Sequence, residues 1–155
     1  ASVISPGRLE ILHRDPTVII DAAHNPHGAK ALAQTLKSEF DFESIFCVLG
    51  ILGEKDVLGV LNALEPVIDR LIVTMSDSPR ALPVEELFES ALAVFGSERT
   101  FSEANLNSAI TYAMEQATLI NQVSDGVSAV VITGSVVTVG AARVALKKIE
   151  SAQKP

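Results

Sequence analysis

Asp21, His24 and Asn25 stand together in Val18-Ile19-Ile20-Asp21-Ala22-Ala23-His24-Asn25-Pro26-His27-Gly28. A carboxylate, an imidazole and a carboxamide so spaced can hold a polar ligand such as a ribose, a phosphate or a metal-bound water. The same residues have a purely structural use. Asp21 can cap the helix that Pro26 opens, or close an Asx-turn, with His24 an ordinary loop histidine. His27 adds a metal-like Asp-x-x-His-x-x-His pattern. With no cysteine or further ligand close by, that pattern argues against a metal site.

Three further stretches carry candidate chemistry. Gly134-Ser135 follows an apolar run and precedes a helix, where backbone N–H groups and a hydroxyl make an anion pocket. Equally, Gly134 permits a turn and Ser135 caps the helix. Gly50-Ile51-Leu52-Gly53-Glu54-Lys55-Asp56 resembles a phosphate loop on the surface but fails the Walker spacing, since Asp56 follows the lysine. Lys55-Asp56 therefore reads as a solvated charge pair or a functional loop, and Arg80 as a surface arginine or an anion contact. Arg8, after Pro6-Gly7, is placed to project from a linker, and its guanidinium fork suits a phosphate.

These residues need elements to hold them. Val18–Ile20 is β-branched throughout, the pattern of a strand buried on both faces of a parallel sheet, and Asp21 lies at its carboxyl end. Before it, Leu9–Leu12 reads as a short edge strand and Arg14-Asp15-Pro16 as a turn. Helical spacing runs from Pro26 to about Phe40, then a strand over Ile45–Leu49, a helix from an Asp56 cap to Leu64, and a strand over Leu71–Met75. Pro83 opens a third helix, and a short strand surrounds Arg99–Phe101. Ser102 is the expected cap of a fourth helix, which Ser124-Asp125-Gly126 breaks. Ala129–Thr133 is the last strand, and a final helix reaches about Ile149. The alternation predicts an α/β fold: a Rossmann-like, doubly wound, mostly parallel sheet with helices on both faces. In such sheets ligands bind beyond the carboxyl ends of the strands. Residues 1–8 read as an interdomain linker, 9–150 as the domain and 151–155 as a frayed tail.

The whole chain sets bounds on function. Its 155 residues are 48% hydrophobic and 20% charged, a globular composition sufficient for one core. A net charge of −7 without a basic block argues against nucleic-acid binding. No apolar run is long enough to span a membrane. Cys47, alone in an apolar run, reads as a buried core thiol. With no charged n-region at Ala1-Ser2-Val3-Ile4, a cytoplasmic location is expected. The chain also begins without methionine, which raises the possibility that it is a piece of a longer polypeptide.

Pro6-Gly7-Arg8-Leu9-Glu10, Asp21-Ala22-Ala23-His24-Asn25-Pro26-His27-Gly28, Lys55-Asp56, Ser78-Pro79-Arg80-Ala81 and Thr133-Gly134-Ser135-Val136-Val137-Thr138-Val139-Gly140 occur in this order. The series resembles the C-terminal domain of the folylpolyglutamate synthase/dihydrofolate synthase family of the Mur ligase superfamily, from Pro6 to about Leu146. The resemblance implies an ATP-dependent carboxylate–amine ligase. It phosphorylates a substrate carboxylate to an acyl phosphate, which the amine of L-glutamate then attacks. An N-terminal P-loop domain of the same polypeptide, absent from this chain, would hold ATP and Mg²⁺, which accounts for the missing Walker motif and leaves this chain inactive alone. Carried over by resemblance, Asp21, His24 and Asn25 would contact the nucleotide. Arg8 would reach its phosphates, with Arg8 and His24 as the catalytic pair, and Ser135 would lie on the glutamate side. The substrate would be a folate or dihydropteroate. Ala141 departs from the family, which often has an acidic residue there. The alternatives are a peptidoglycan-precursor ligase domain and a non-catalytic Rossmann-type nucleotide-binding domain.

Overall fold

The computed structural model describes residues 8–153, so most of the expected linker and the last two residues lie outside the described part. Six strands form one sheet: β1 Glu10–His13, β2 Thr17–Asp21, β3 Ser44–Leu49, β4 Arg70–Val73, β5 Thr100–Ser102 and β6 Ser128–Thr133. Their spatial order is β1-β2-β6-β3-β4-β5. All neighbours are parallel except β1, which runs antiparallel along the β2 edge. Five helices connect or follow them: α1 Pro26–Glu39, α2 Val57–Leu64, α3 Val84–Phe95, α4 Leu106–Val123 and α5 Val136–Gln153.

Successive strand side chains alternate between faces, and the two faces bury two separate cores. Ile19, Cys47, Leu49, Leu71, Val73 and Val131 pack with Leu32 and Leu36 of α1, Leu61 of α2 and Leu87 of α3. Val18, Ile20, Phe46, Val48, Ile72, Val130 and Ile132 pack with Ile110 and Ala113 of α4 and Ala142 and Leu146 of α5. Because both faces are covered, the central strands carry unbroken apolar runs rather than an alternating pattern. The sheet is doubly wound as the sequence predicts. Burial pushes the Cys47 thiol up to about 12, which keeps it an inert core group.

Three boundaries differ from the sequence reading by more than one residue. Asn105, not Ser102, caps α4, its side chain accepting from the Ser108 N–H at 2.9 Å. Ser102 is instead paired opposite Val73 as the last residue of β5, so its backbone is extended and in the sheet. The strand expected over Leu71–Met75 runs from Arg70 to Val73. Finally, α5 continues to Gln153, three residues into the stretch expected to fray, because no helix-breaking residue intervenes before Pro155. Asp56 does cap α2, accepting from the Gly59 N–H at 3.0 Å.

Candidate functional site

The order of the strands fixes where a site can be. The chain leaves β2 through α1 on one face, whereas β6, its immediate neighbour, leads into α5 on the other. Two adjacent strands whose following helices part to opposite faces open a crevice at their carboxyl ends. The residues flanking that crevice are Asp21 to Asn25 after β2 and Gly134-Ser135 after β6. Asp21 pairs directly with Thr133 in the β2–β6 register.

Each side chain in the β2–α1 turn has a defined local partner. Asp21 is 1% exposed, and its Oδ1 accepts from the Ala23 N–H at 2.9 Å, closing an Asx-turn. Asn25 caps α1 by accepting from the Gly28 N–H at 2.8 Å, with Pro26 at the first helical position. The His24 Nδ1 lies 3.1 Å from the Ala22 carbonyl oxygen. A carbonyl only accepts, so Nδ1 is the donor in this contact, which leaves Nε2 unused by it. The Asx-turn foreseen for Asp21 is thus present, the helix cap also foreseen for Asp21 falls instead to Asn25, and His24 is half-buried beside them.

On the β6 side the hydroxyls turn inward. Ser135, 2% exposed, accepts from the Thr138 N–H at 2.9 Å and donates to Thr138 Oγ1 at 2.9 Å, the arrangement of a helix cap. Thr138 Oγ1 in turn donates to the Gly50 carbonyl at 2.8 Å. What this corner offers outward is the first turn of α5, with Val136 and Val137 exposed.

Arg8 is exposed, with φ 59. Since Glu10 pairs opposite Ile20 in the antiparallel β1–β2 register, the chain enters β1 at the end of the sheet where β2 finishes, and the positive φ of Arg8 turns it out of the strand's extended course there. Sequence spacing alone separates Arg8 from His24; the hairpin returns it to the same edge. Lys55 and Asp56 lie on the β3–α2 loop, whose Asp56 is a cap. Arg80 forms an ion pair with Glu54, and hydrogen bonding from Arg80 holds the Glu54 carboxyl below its ordinary value. This loop is stitched to the β4–α3 loop by Gly53 N to Arg80 O at 2.9 Å and Leu82 N to Ile51 O at 2.9 Å.

No group of three or more metal-ligating His, Cys, Asp or Glu side chains lies together among the described residues, and His27 is exposed. A groove of about 520 Å³ bordered by His13, Asp15 and Gln122 lies at the opposite, amino end of β2. A second, of about 620 Å³, lies between α4 and α5 beside Ser76, Asp77 and Lys148. Neither contains Arg8, Asp21, His24, Asn25 or Ser135; the candidate site is an open edge.

Residues 7–136 match the model of one family, described as the Mur ligase, glutamate ligase domain. The chain belongs to that family. Among the Mur ligase domain's relatives, the dihydrofolate synthase/folylpolyglutamate synthase of Mycobacterium tuberculosis is 53% identical over 149 residues, 92% of this chain and 31% of that protein. The crystal structure of the Mycobacterium tuberculosis folylpolyglutamate synthase with ADP and AMPPCP superimposes with a TM-score of 0.86, at 53% identity, over 92% of this chain and 32% of that one. Escherichia coli FolC with ADP superimposes with a TM-score of 0.79, at 30% identity, over 97% of this chain and 34% of that one. The chain therefore spans about a third of the length of the relatives it matches, and what it matches is their C-terminal part.

Proposed function

We propose that this chain is the C-terminal domain of an ATP-dependent ligase that adds L-glutamate to folates, as a folylpolyglutamate synthase, and to dihydropteroate, as a dihydrofolate synthase. The observation that carries the reading is 53% identity across nearly the whole chain to an enzyme of that name. In the reaction a substrate carboxylate oxygen attacks the terminal phosphorus of ATP and ADP leaves. The glutamate amine then attacks the acyl carbon, inorganic phosphate departs, and the amine proton is lost.

In this reading residues 9–150 form the ligase domain, residues 1–8 belong to the junction, and a P-loop domain of the same polypeptide faces the open edge. Three features support that placement. The site lacks one wall; Leu58, Val136 and Val137 at the same edge are exposed apolar side chains; and Arg8, at the junction, returns to this edge through the β1–β2 hairpin. The Arg8 guanidinium would offset charge developing on the transferring phosphoryl group. His24 would present Nε2 to the nucleotide, with Asp21 and Asn25 holding its turn. The first turn of α5, set by Ser135, would lie on the glutamate side with its N–H groups toward an anion. The described residues offer no cluster for Mg²⁺, so the P-loop domain would hold it, where it would neutralise phosphate charge.

The test is ADP release by the polypeptide carrying both domains, with Mg-ATP, L-glutamate and either dihydropteroate or tetrahydrofolate. Release dependent on glutamate and a pterin supports the ligase, and the preferred pterin names the substrate. Release that ignores both pterins but responds to a nucleotide-linked peptide would replace it with the peptidoglycan-precursor reading, and no turnover with either would leave a nucleotide-binding domain.

A further inference from the structure

Thr133 closes a strand whose other residues, Ser128 to Ile132, are fully buried and mostly apolar. A threonine at the end of such a run puts a hydroxyl where valine would fill the same volume, so its oxygen needs a partner. It has two. Oγ1 donates to the Asp21 carbonyl at 2.5 Å and lies 3.4 Å from the Ala23 carbonyl. The next residue adds a third contact, since the Gly134 N–H donates to the same Ala23 carbonyl at 3.1 Å.

The Asp21–Ala23 turn is thereby held at both ends of one residue. Ala23 gives its N–H to the Asp21 carboxylate, and its carbonyl receives Gly134 and faces Thr133. His24 follows directly and folds back onto the Ala22 carbonyl. Its imidazole therefore hangs from a backbone fixed by the neighbouring strand. Thr133 itself is 1% exposed and lies on the sheet face of Val131, so it has no route to a ligand.

We infer that Thr133 is a positioning residue: its hydroxyl sets the turn that aims His24, and through His24 it governs turnover. This rests on the reading of His24 as a site residue. Sub-ångström placement of a reacting group is worth orders of magnitude in rate, whereas loss of one buried hydrogen bond alone changes stability only modestly.

The experiment is a double-mutant cycle in the two-domain polypeptide, reading glutamate- and pterin-dependent ADP release alongside thermal unfolding. T133V is expected to lower kcat by about tenfold or more, as expected for a misplaced site group, while the protein stays folded. T133S, which keeps the oxygen, is expected to restore kcat to within about twofold of the parent. In an H24A background T133V is expected to have little further effect, because the group it aims is gone. Full multiplication of the two losses would overturn the inference, as would a T133S variant no better than T133V. An H24A variant with undiminished turnover would overturn the site reading itself, and this inference with it. If T133V fails to fold, T133A takes its place in the cycle, deleting the hydroxyl without pressing a methyl against the two carbonyls.

Discussion

Gly134 stands against the carbonyl of Gly50, so close that a β-carbon on residue 134 would overlap the Gly50 oxygen. Its φ of 123° lies where side-chain-bearing residues are strained in any case. Both strands meeting here, β6 and β3, are central, and neither can retreat. G134A is therefore expected to destabilise the domain by about 2–4 kcal/mol, combining backbone strain with overpacking. Urea unfolding of the variant checks this. A loss under about 0.5 kcal/mol, the range of neutral surface changes, would mean that the corner is softer than its geometry.

The two uses of Asp21 separate by substitution. D21N keeps an oxygen for the Ala23 N–H and removes the charge, while D21A removes both. D21A is expected to cost about 1–2 kcal/mol of stability for the lost buried hydrogen bond, and D21N clearly less. Nucleotide use by the two-domain polypeptide is expected to fall in both. A D21N variant with full activity would make the residue a turn-former alone.

R8A removes an exposed side chain and is expected to leave unfolding unchanged. In the two-domain polypeptide its kcat is expected to fall by about 10²–10³-fold, the usual scale for losing one transition-state charge contact. An unaltered kcat would place Arg8 outside the phosphoryl-transfer step.

Arg143 on α5 grips Glu10 on β1 with two hydrogen bonds, 2.6 and 3.1 Å. This hydrogen bonding holds the Glu10 carboxyl below its ordinary 4.5. The folded protein thus binds that proton less readily than the unfolded chain. The pair's contribution is complete above the ordinary value and is lost as pH falls through the lowered one. Both side chains are 47% exposed, so E10Q is expected to cost only about 0.5 kcal/mol at pH 7, less in high salt. The difference from the parent should close at acid pH. A difference that grew there would contradict the assignment.

Capping of α4 gives a direct comparison. N105A is expected to cost about 1 kcal/mol, while S102A should be near neutral, because only Asn105 reaches an orphan N–H of the helix. Equal losses would return the cap to Ser102.

How far the fold could be read in advance follows from these particulars. The β-branched runs Val18–Ile20 and Ile45–Leu49 declare strands buried on two faces, and Pro26 and Asp56 declare helix starts. Ser102 and Asn105 are both good caps three residues apart. What decides between them is the pairing of Ser102 with Val73 across the sheet, which a local pattern does not contain. His24 and Asn25 stood out because polar groups follow an apolar strand. Thr133 and Thr138 did not, since their partners are backbone carbonyls of residues 21 and 50, which carry no side-chain signature. Arg8 was marked by its place after Pro6-Gly7 as well as by family likeness, but that the chain enters β1 at the end where β2 leads toward His24 follows only from the β1–β2 register.

The last strand in the chain is a central strand in space. β6 slots between β2 and β3, so everything before Ser128 can build only two separate ribbons, each with a bare inner rim. The strand that joins them brings Thr133, Gly134 and Ser135 to the crevice in the same movement. On the ribosome the His24 turn is therefore made long before the residues that brace it emerge. Until then that turn has only its local hydrogen bonds, Ala23 N–H to Asp21 and His24 to the Ala22 carbonyl, and none from the neighbouring strand.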